Sequence, residues 1–332
     1  MAARWRWVLL AAGAVAAGLA FNTILVDRQT RSATPRDGGY LIETGELAAN
    51  VKLVGNGPAV VLIHGFGAAI DWWDTITPAL AANHRVLMVD LIGHGGTAAP
   101  ASGYSIKRQA ALIAAVLDKL GIDRAAIIGH SMGGEVATAL AEAHPNRIAA
   151  LVLIDASSTA VGRYNVLTEL YLTPAIGELL ARFRQKSVLR MGLRQGFAPG
   201  FKVPDNFIDD LRQLTYTALR AAHNESVAYR AAKSLNARLA AITPVPPLLA
   251  IFGSRDALVP ADSAALLARV PGAKIATLRG VGHSPMVEAP AATAGLIESF
   301  LSERKATAWP AQAQTGAASS NEPREPERLD QP

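Results

Sequence analysis

The chain has 332 residues, half of them hydrophobic, with 28 glycines and 19 prolines, which is enough for one large globular core. Its formal net charge of +5 is spread along the sequence and not blocked, so nothing points to nucleic acid as a partner. There is no cysteine, which excludes thiolate catalysis, disulfides and cysteine-ligated metals.

Residues 7–26 form an apolar segment interrupted only by Asn22 and Thr23, with Arg4 and Arg6 ahead of it. As a helix it spans about 30 Å, one hydrocarbon core. Residues 1–26 therefore read as a transmembrane anchor, with Trp5 and Trp7 at the interface, or as a signal segment cleaved near Gly18 and Ala20. A buried helix fits least. Residues 27–39 are polar, with Pro35 and Gly38-Gly39, and read as a linker.

Short strands are expected near Tyr40–Thr44 and Val51–Val54, with Asn56-Gly57 turning into the apolar run Ala59–Ile63. That run has the composition of a strand buried on both faces, and it ends in His64-Gly65-Phe66-Gly67. Glycines on either side of Phe66 allow its backbone N–H to point into a site. Arg85–Val89 is a further strand, followed by the glycine-rich Asp90-Leu91-Ile92-Gly93-His94-Gly95-Gly96-Thr97. This loop lacks the spacing of either common phosphate loop, so a nucleotide role is disfavoured. Ser105 caps a helix over Ile106–Leu120, which Gly121 ends.

Residues 125–134 read Ala-Ala-Ile-Ile-Gly-His-Ser-Met-Gly-Gly: an apolar strand, a tight turn and the start of a helix. A G-x-S-x-G at such a turn needs glycine two positions either side of the serine, because a side chain there strikes the neighbouring strand or helix. The turn lifts the Ser131 hydroxyl off the sheet and sets it at a helix N-terminus. There the N–H of Met132, with that of Phe66, is placed to stabilise an oxyanion.

Leu151–Ile154 is another buried strand. Up to it, strands and helices alternate, which implies right-handed crossovers and a mostly parallel sheet. Residues 159–242 then read as helices broken at Pro174, Pro199 and Pro204, a candidate cap. Strands at Pro247–Phe252 and Lys274–Leu278 resume the sheet, with a helix over Ala261–Val270 between them and a last helix over Ala291–Arg304. The core is thus 40–158 with 243–305. The tail 306–332, rich in Pro, Gln, Ser, Glu and Arg, is expected to be disordered.

A serine needs a base within hydrogen-bond reach, and the base needs an acid to hold its tautomer. Of seven histidines only His283 follows the final strand on a glycine-flanked loop. His64 and His130 sit inside glycine motifs, where the backbone matters more often than the imidazole. Asp256, after Gly253-Ser254-Arg255, is the expected acid, with Asp155 as the fallback. The order Ser131, Asp256, His283 is the one expected of this architecture.

With these motifs the chain resembles the α/β-hydrolase superfamily, in the subgroup with a helical cap, over about residues 40–303. The resemblance implies an eight-stranded, mostly parallel sheet with helices on both faces. It also implies a helical cap inserted before the last two strands, and no cofactor and no metal. The dehalogenase and epoxide-hydrolase branches carry aspartate where this chain has Ser131, whereas Gly-His-Ser-Met-Gly-Gly is most similar to lipases and esterases. The expected activity is hydrolysis of a small-molecule ester of an apolar acyl group, with Trp72, Trp73, Leu167 and Tyr171 in the pocket. Two alternatives remain open. One is a carbon–carbon bond hydrolase, which needs a cation such as Arg163 or Arg190 for its substrate carboxylate; the other is a non-catalytic binding module.

Overall fold

The computed structural model describes residues 2–27, 29–159 and 164–308. Arg163 and residues 309–332, most of the expected tail, lie outside the described residues.

Helix α1 (Ala2–Asp27) carries the apolar span Trp5–Asn22. The sheet is built from β1 (Tyr40–Glu43), β2 (Ala48–Val54), β3 (Ala59–Ile63), β4 (Arg85–Val89), β5 (Ala125–His130), β6 (Ile148–Ile154), β7 (Leu248–Gly253) and β8 (Lys274–Leu278), in the order β1-β2-β4-β3-β5-β6-β7-β8. Only the pairings of β2, with β1 and β4, are antiparallel; the rest are parallel. β3, β5 and β6 are buried along their whole length, as unbroken apolar runs require of strands covered on both faces. Successive side chains feed opposite layers: Val61 and Ile63 join one core, Val60 and Leu62 the other.

Among the core helices, α2 (Thr77–Ala81), α3 (Ile106–Lys119) and α4 (Met132–Ala143) cover the first half of the sheet. The N-terminus of α3 is capped by Ser105, whose Oγ accepts the N–H of Arg108 at 3.3 Å. Six helices separate β6 from β7: α5 (Val166–Leu172), α6 (Ile176–Phe183), α7 (Lys186–Leu193), α8 (Asp205–Gln213), α9 (Tyr216–Ala232) and α10 (Leu235–Ala240). They form the cap; Pro174 falls at the break between α5 and α6, and Pro199 and Pro204 at that between α7 and α8, while the other three breaks carry no proline, the one after α6 being made by Arg184 in the left-handed region.

After β7 come α11 (Ser263–Leu267), shorter than the expected helix, then α12 (Pro285–Glu288), which the sequence reading missed, and α13 (Pro290–Ala308). α13 runs past Arg304, so the first residues assigned to the tail are helical. Residues 31–39, expected as a linker, lie along the core: the N–H of Arg31 donates to Ala99 O at 2.8 Å and that of Thr34 to Gly96 O at 2.8 Å. The glycine-rich loop after β4 folds around buried Asp90. Its carboxylate accepts the N–H groups of Ile70 (2.9 Å) and Gly96 (2.8 Å) and the Asn50 amide (2.7 Å). That is a structural knot, not a phosphate cradle.

Candidate active site

Strand order reverses direction around β3 and β5, so the loops leaving their C-terminal ends diverge and leave a crevice. Ser131 sits there, between β5 and α4, with φ 51° and ψ −119°. A serine in this region costs of order 1–3 kcal/mol and is held by its surroundings. Its N–H donates to Ile154 O of β6 at 2.9 Å. The flanking glycines are required by close approach: a Cβ on Gly129 would lie 2.3 Å from Gly133 O, and one on Gly133 would lie 2.2 Å from Ile63 O. The loop after β3 packs on the elbow too, with a Cβ on Gly65 only 3.2 Å from that of Ser131. Phe66 and Met132, on these two adjoining turns, both line the cavity beside Ser131.

His283 also lines the cavity, and its Nδ1 meets Asp256 Oδ2 at 2.7 Å. Burial works to raise the Asp256 pKa. The facing imidazole and the N–H groups of Leu258 (2.7 Å) and Val259 (3.1 Å) outweigh it and hold the carboxyl below its ordinary value. Asp155, the fallback acid, stands in the same cluster: oxygens of Asp155 and Asp256 and a His283 nitrogen lie within 4.8 Å of one another. Burial, then repulsion from Asp256, raises Asp155 well above the ordinary carboxylate range, and its Oδ1 accepts the N–H of Gly253 at 3.0 Å. The surroundings thus favour the ionised form of Asp256 and the neutral form of Asp155.

A model of the alpha/beta hydrolase family matches residues 60–296. The chain belongs to that family. This hydrolase is 30% identical over 266 residues to a pimeloyl-acyl-carrier-protein methyl ester esterase from Aeromonas hydrophila, covering 77% of this chain and 100% of the relative. It is 29% identical over 296 residues to a 2-hydroxymuconate semialdehyde hydrolase from Pseudomonas putida, covering 82% of this chain and 97% of that one. Among solved structures, a bacterial membrane phospholipase A superposes with a TM-score of 0.63 at 25% identity, covering 91% of this chain and 99% of its own.

Two imidazoles of the hydrolase that the sequence reading set aside have jobs. His130 Nε2 meets the carbonyl of His283 at 2.7 Å, and burial lowers its pKa to about 3, so the neutral ring donates and tethers the His283 loop. Buried His64, lowered to about 4, bonds Gly65 O through Nδ1 at 2.8 Å and accepts the N–H of Leu91 at 3.0 Å. Glu288 completes the frame, accepting the N–H groups of Gly282 (3.0 Å) and Ser284 (3.2 Å) on either side of His283.

The cavity between core and cap has an empty volume of about 1150 Å³, its open mouth included. Trp72, Leu167 and Tyr171 line it. Trp73 does not: it is fully buried in the core under the sheet, because consecutive residues of the turn Ile70–Trp73 point in different directions. A polar end, unforeseen from sequence, comes from α9. There Arg230 Nη1 bonds Glu135 of α4 and Ser226 Oγ (2.6 Å), and Ser226 Oγ donates to Glu135 at 2.9 Å. His223 stands beside Phe66, ring centroids 5.9 Å apart. Arg190 pairs with Asp205 on the surface and is absent from the lining among the described residues.

Two buried carboxyls join cap to core. Trp72 Nε1 donates to Asp210 of α8 at 3.1 Å, and Asn206 Nδ2 donates to Asp71 at 2.7 Å. Oxygens of Asp71, Asp210 and Asp37 lie within 4.8 Å of one another. Burial raises Asp71 to about 6, and burial with repulsion from Asp71 raises Asp210 to about 9. An acid raised on folding binds its proton more tightly in the native state. The stability it contributes is therefore present at low pH and lost as pH rises through the folded pKa. The melting temperature is expected to fall as pH rises from about 4, the unfolded value of both groups, to about 9, most steeply below pH 6 where both contribute. Buried Glu135, raised to about 7, adds to the same slope, so the readout is the difference from Asp210→Asn, which flattens the decline. An unchanged slope in that variant would remove the pair from the account.

Proposed function

We propose that this hydrolase is a serine esterase acting on carboxylic esters with apolar acyl groups, through an acyl-enzyme on Ser131. The observation that carries the reading is the His283–Asp256 contact of 2.7 Å beside a strained Ser131, all opening on one mainly apolar cavity. With Nδ1 held by Asp256, the other ring nitrogen of His283 is the base. Ser131 Oγ attacks the ester carbonyl as its proton passes to that nitrogen. The tetrahedral oxyanion is stabilised by the N–H groups of Phe66 and Met132, the latter at the N-terminus of α4. Collapse expels the alcohol, which takes the proton from His283. Water then adds to the acyl-enzyme by the same route and releases the acid.

The cavity lining supports an acyl chain recognised by burial: Phe66, Trp72, Leu167, Tyr171 and Met132 offer apolar surface and few anchors. The carbon–carbon hydrolase alternative draws on Arg230, the cation in the lining, but Glu135 already holds that guanidinium. Offering p-nitrophenyl esters from acetate to laurate beside a ring-fission diketo acid tests the choice. The esters should dominate, with a medium chain favoured; preference for the diketo acid with trace ester turnover would overturn the reading. Labelling of Ser131 by a fluorophosphonate should separate either enzyme from a binding module.

We assign α1 as a single membrane anchor. None of the residues of its span Trp5–Asn22 is buried inside the protein, and the likeness to the membrane phospholipase covers 91% of this chain, against 79% for an enol-lactonase from Burkholderia xenovorans. The full chain should remain with membranes after alkaline carbonate with its N-terminus uncut. A mature N-terminus near Phe21 would assign a signal segment in its place.

A further inference from the structure

The cap helices α5 and α7 are apolar on two sides. Leu167 and Tyr171 of α5, with Val188 and Leu189 of α7, face the cavity. On the outside Val166 and Leu170 of α5, Ile176, Leu179 and Phe183 of α6 and Met191 of α7 are exposed, Phe183 at 68% and Val166 at 76%. Their spacing places those of α5 on one face and those of α6 on one face, so they form a patch and not a scatter. A helix whose outer face meets water carries polar residues there.

The neighbour of this patch indicates what covers it. α1 packs against α6 and α9, and Arg182 Nε of α6 donates to Asn22 Oδ1 of α1 at 2.5 Å. Asn22 ends the apolar span of α1. A bilayer that embeds the span gives way to its headgroups at that residue, and α6 meets α1 at the same level. Charge agrees: of the five basic side chains in residues 164–194, Lys186 and Arg190 pair with Asp209 and Asp205 of α8, and Arg182, Arg184 and Arg194 remain against Glu169 and Glu178. Basic residues beside an apolar face suit anionic headgroups.

We propose that the outer face of α5–α7 is a second membrane contact, seated among the headgroups of an anionic lipid bilayer. A single layer of helices, about 10 Å thick, then separates lipid from the cavity. An ester carried in the bilayer reaches the cavity past apolar cap residues without crossing water. The inference rests on α1 being an anchor, and its consequence for substrate rests on the esterase reading.

The absence of cysteine makes single-site labelling clean. Full-length Phe183→Cys, Leu10→Cys and Lys119→Cys, each carrying an environment-sensitive fluorophore, would be placed in phosphatidylcholine vesicles containing phosphatidylglycerol and nitroxide-bearing lipid. Leu10 reports the anchor, and Lys119, exposed at the end of α3, reports water. Quenching at positions 10 and 183 but not 119 is expected, stronger at 183 with phosphatidylglycerol present. Quenching at 10 alone overturns the cap contact and leaves the anchor standing. Quenching at neither 10 nor 183 removes the anchor and the cap contact together. A site 183 shielded from quencher and cross-linking to a second copy makes the patch a protein interface and overturns the proposal. A second readout is activity. Val166→Asp with Phe183→Asp should lower turnover of a vesicle-borne ester roughly tenfold while sparing a soluble short-chain ester. Equal loss on both substrates overturns the inference.

Discussion

Ser131→Ala is expected to lower ester turnover by roughly 10⁴–10⁶-fold, because nucleophile, base and acid act as one unit and removing one removes most of the effect. His283→Ala should match it, and the double variant should be little worse than either. The residual rate is expected from the Phe66 and Met132 N–H groups proposed to hold the oxyanion, which both changes leave in place. Fold should be unaffected. Ser131→Gly goes further: glycine adopts φ 51° without the penalty a side chain meets, so this variant should be inactive yet more stable by about 1 kcal/mol. Burst kinetics and thermal melts check both halves. Substantial turnover in Ser131→Ala would move the nucleophile elsewhere.

The second large effect separates the two carboxyls beside His283. Asp256→Asn should cost on the order of 10⁴-fold, because the amide presents N–H to His283 Nδ1, forces the wrong tautomer and cannot stabilise the imidazolium. Asp155→Asn should cost less than about tenfold. Burial and the Asp256 carboxylate favour the neutral form of Asp155, and asparagine can still accept the N–H of Gly253 and donate to Asp256. Measuring kcat/KM for the two variants decides the assignment. A mild Asp256→Asn with a dead Asp155→Asn would exchange their roles.

Much of the architecture was legible because it depends on local rules. Ala59–Ile63, Ala125–Ile128 and Leu151–Ile154 are unbroken apolar runs, and only strands covered on both faces use such runs at that length. Gly129 and Gly133 were readable because the elbow leaves no room for Cβ. What escaped depends on contacts distant in sequence. Trp72 and Trp73 are indistinguishable by composition, and only the path of their turn sends one to the cavity and the other to the core. The polar end of the cavity draws on α9, nearly a hundred residues beyond Ser131, and no spacing rule couples Arg230 to Glu135. The imidazoles of His64 and His130 looked dispensable because their partners, Leu91 N–H and the His283 carbonyl, lie on other loops. Those two bonds would repay a search for titratable residues inside every glycine-rich turn.

The Glu135 knot has a mechanical consequence. Glu135 lies one turn beyond Ser131 on α4, and through Arg230 and Ser226 it grips α9. Pulling α9 away would strand a buried charge, at a cost of about 3–5 kcal/mol. α9 therefore behaves as a fixed doorpost, rigid with the elbow itself. Among the described residues α5 and α7 have no such tie to α4, and the ion pairs of α7, Lys186–Asp209 and Arg190–Asp205, run at the surface to α8. Any give in the cap is therefore expected on that side, which would leave the helix that aims Ser131 in place.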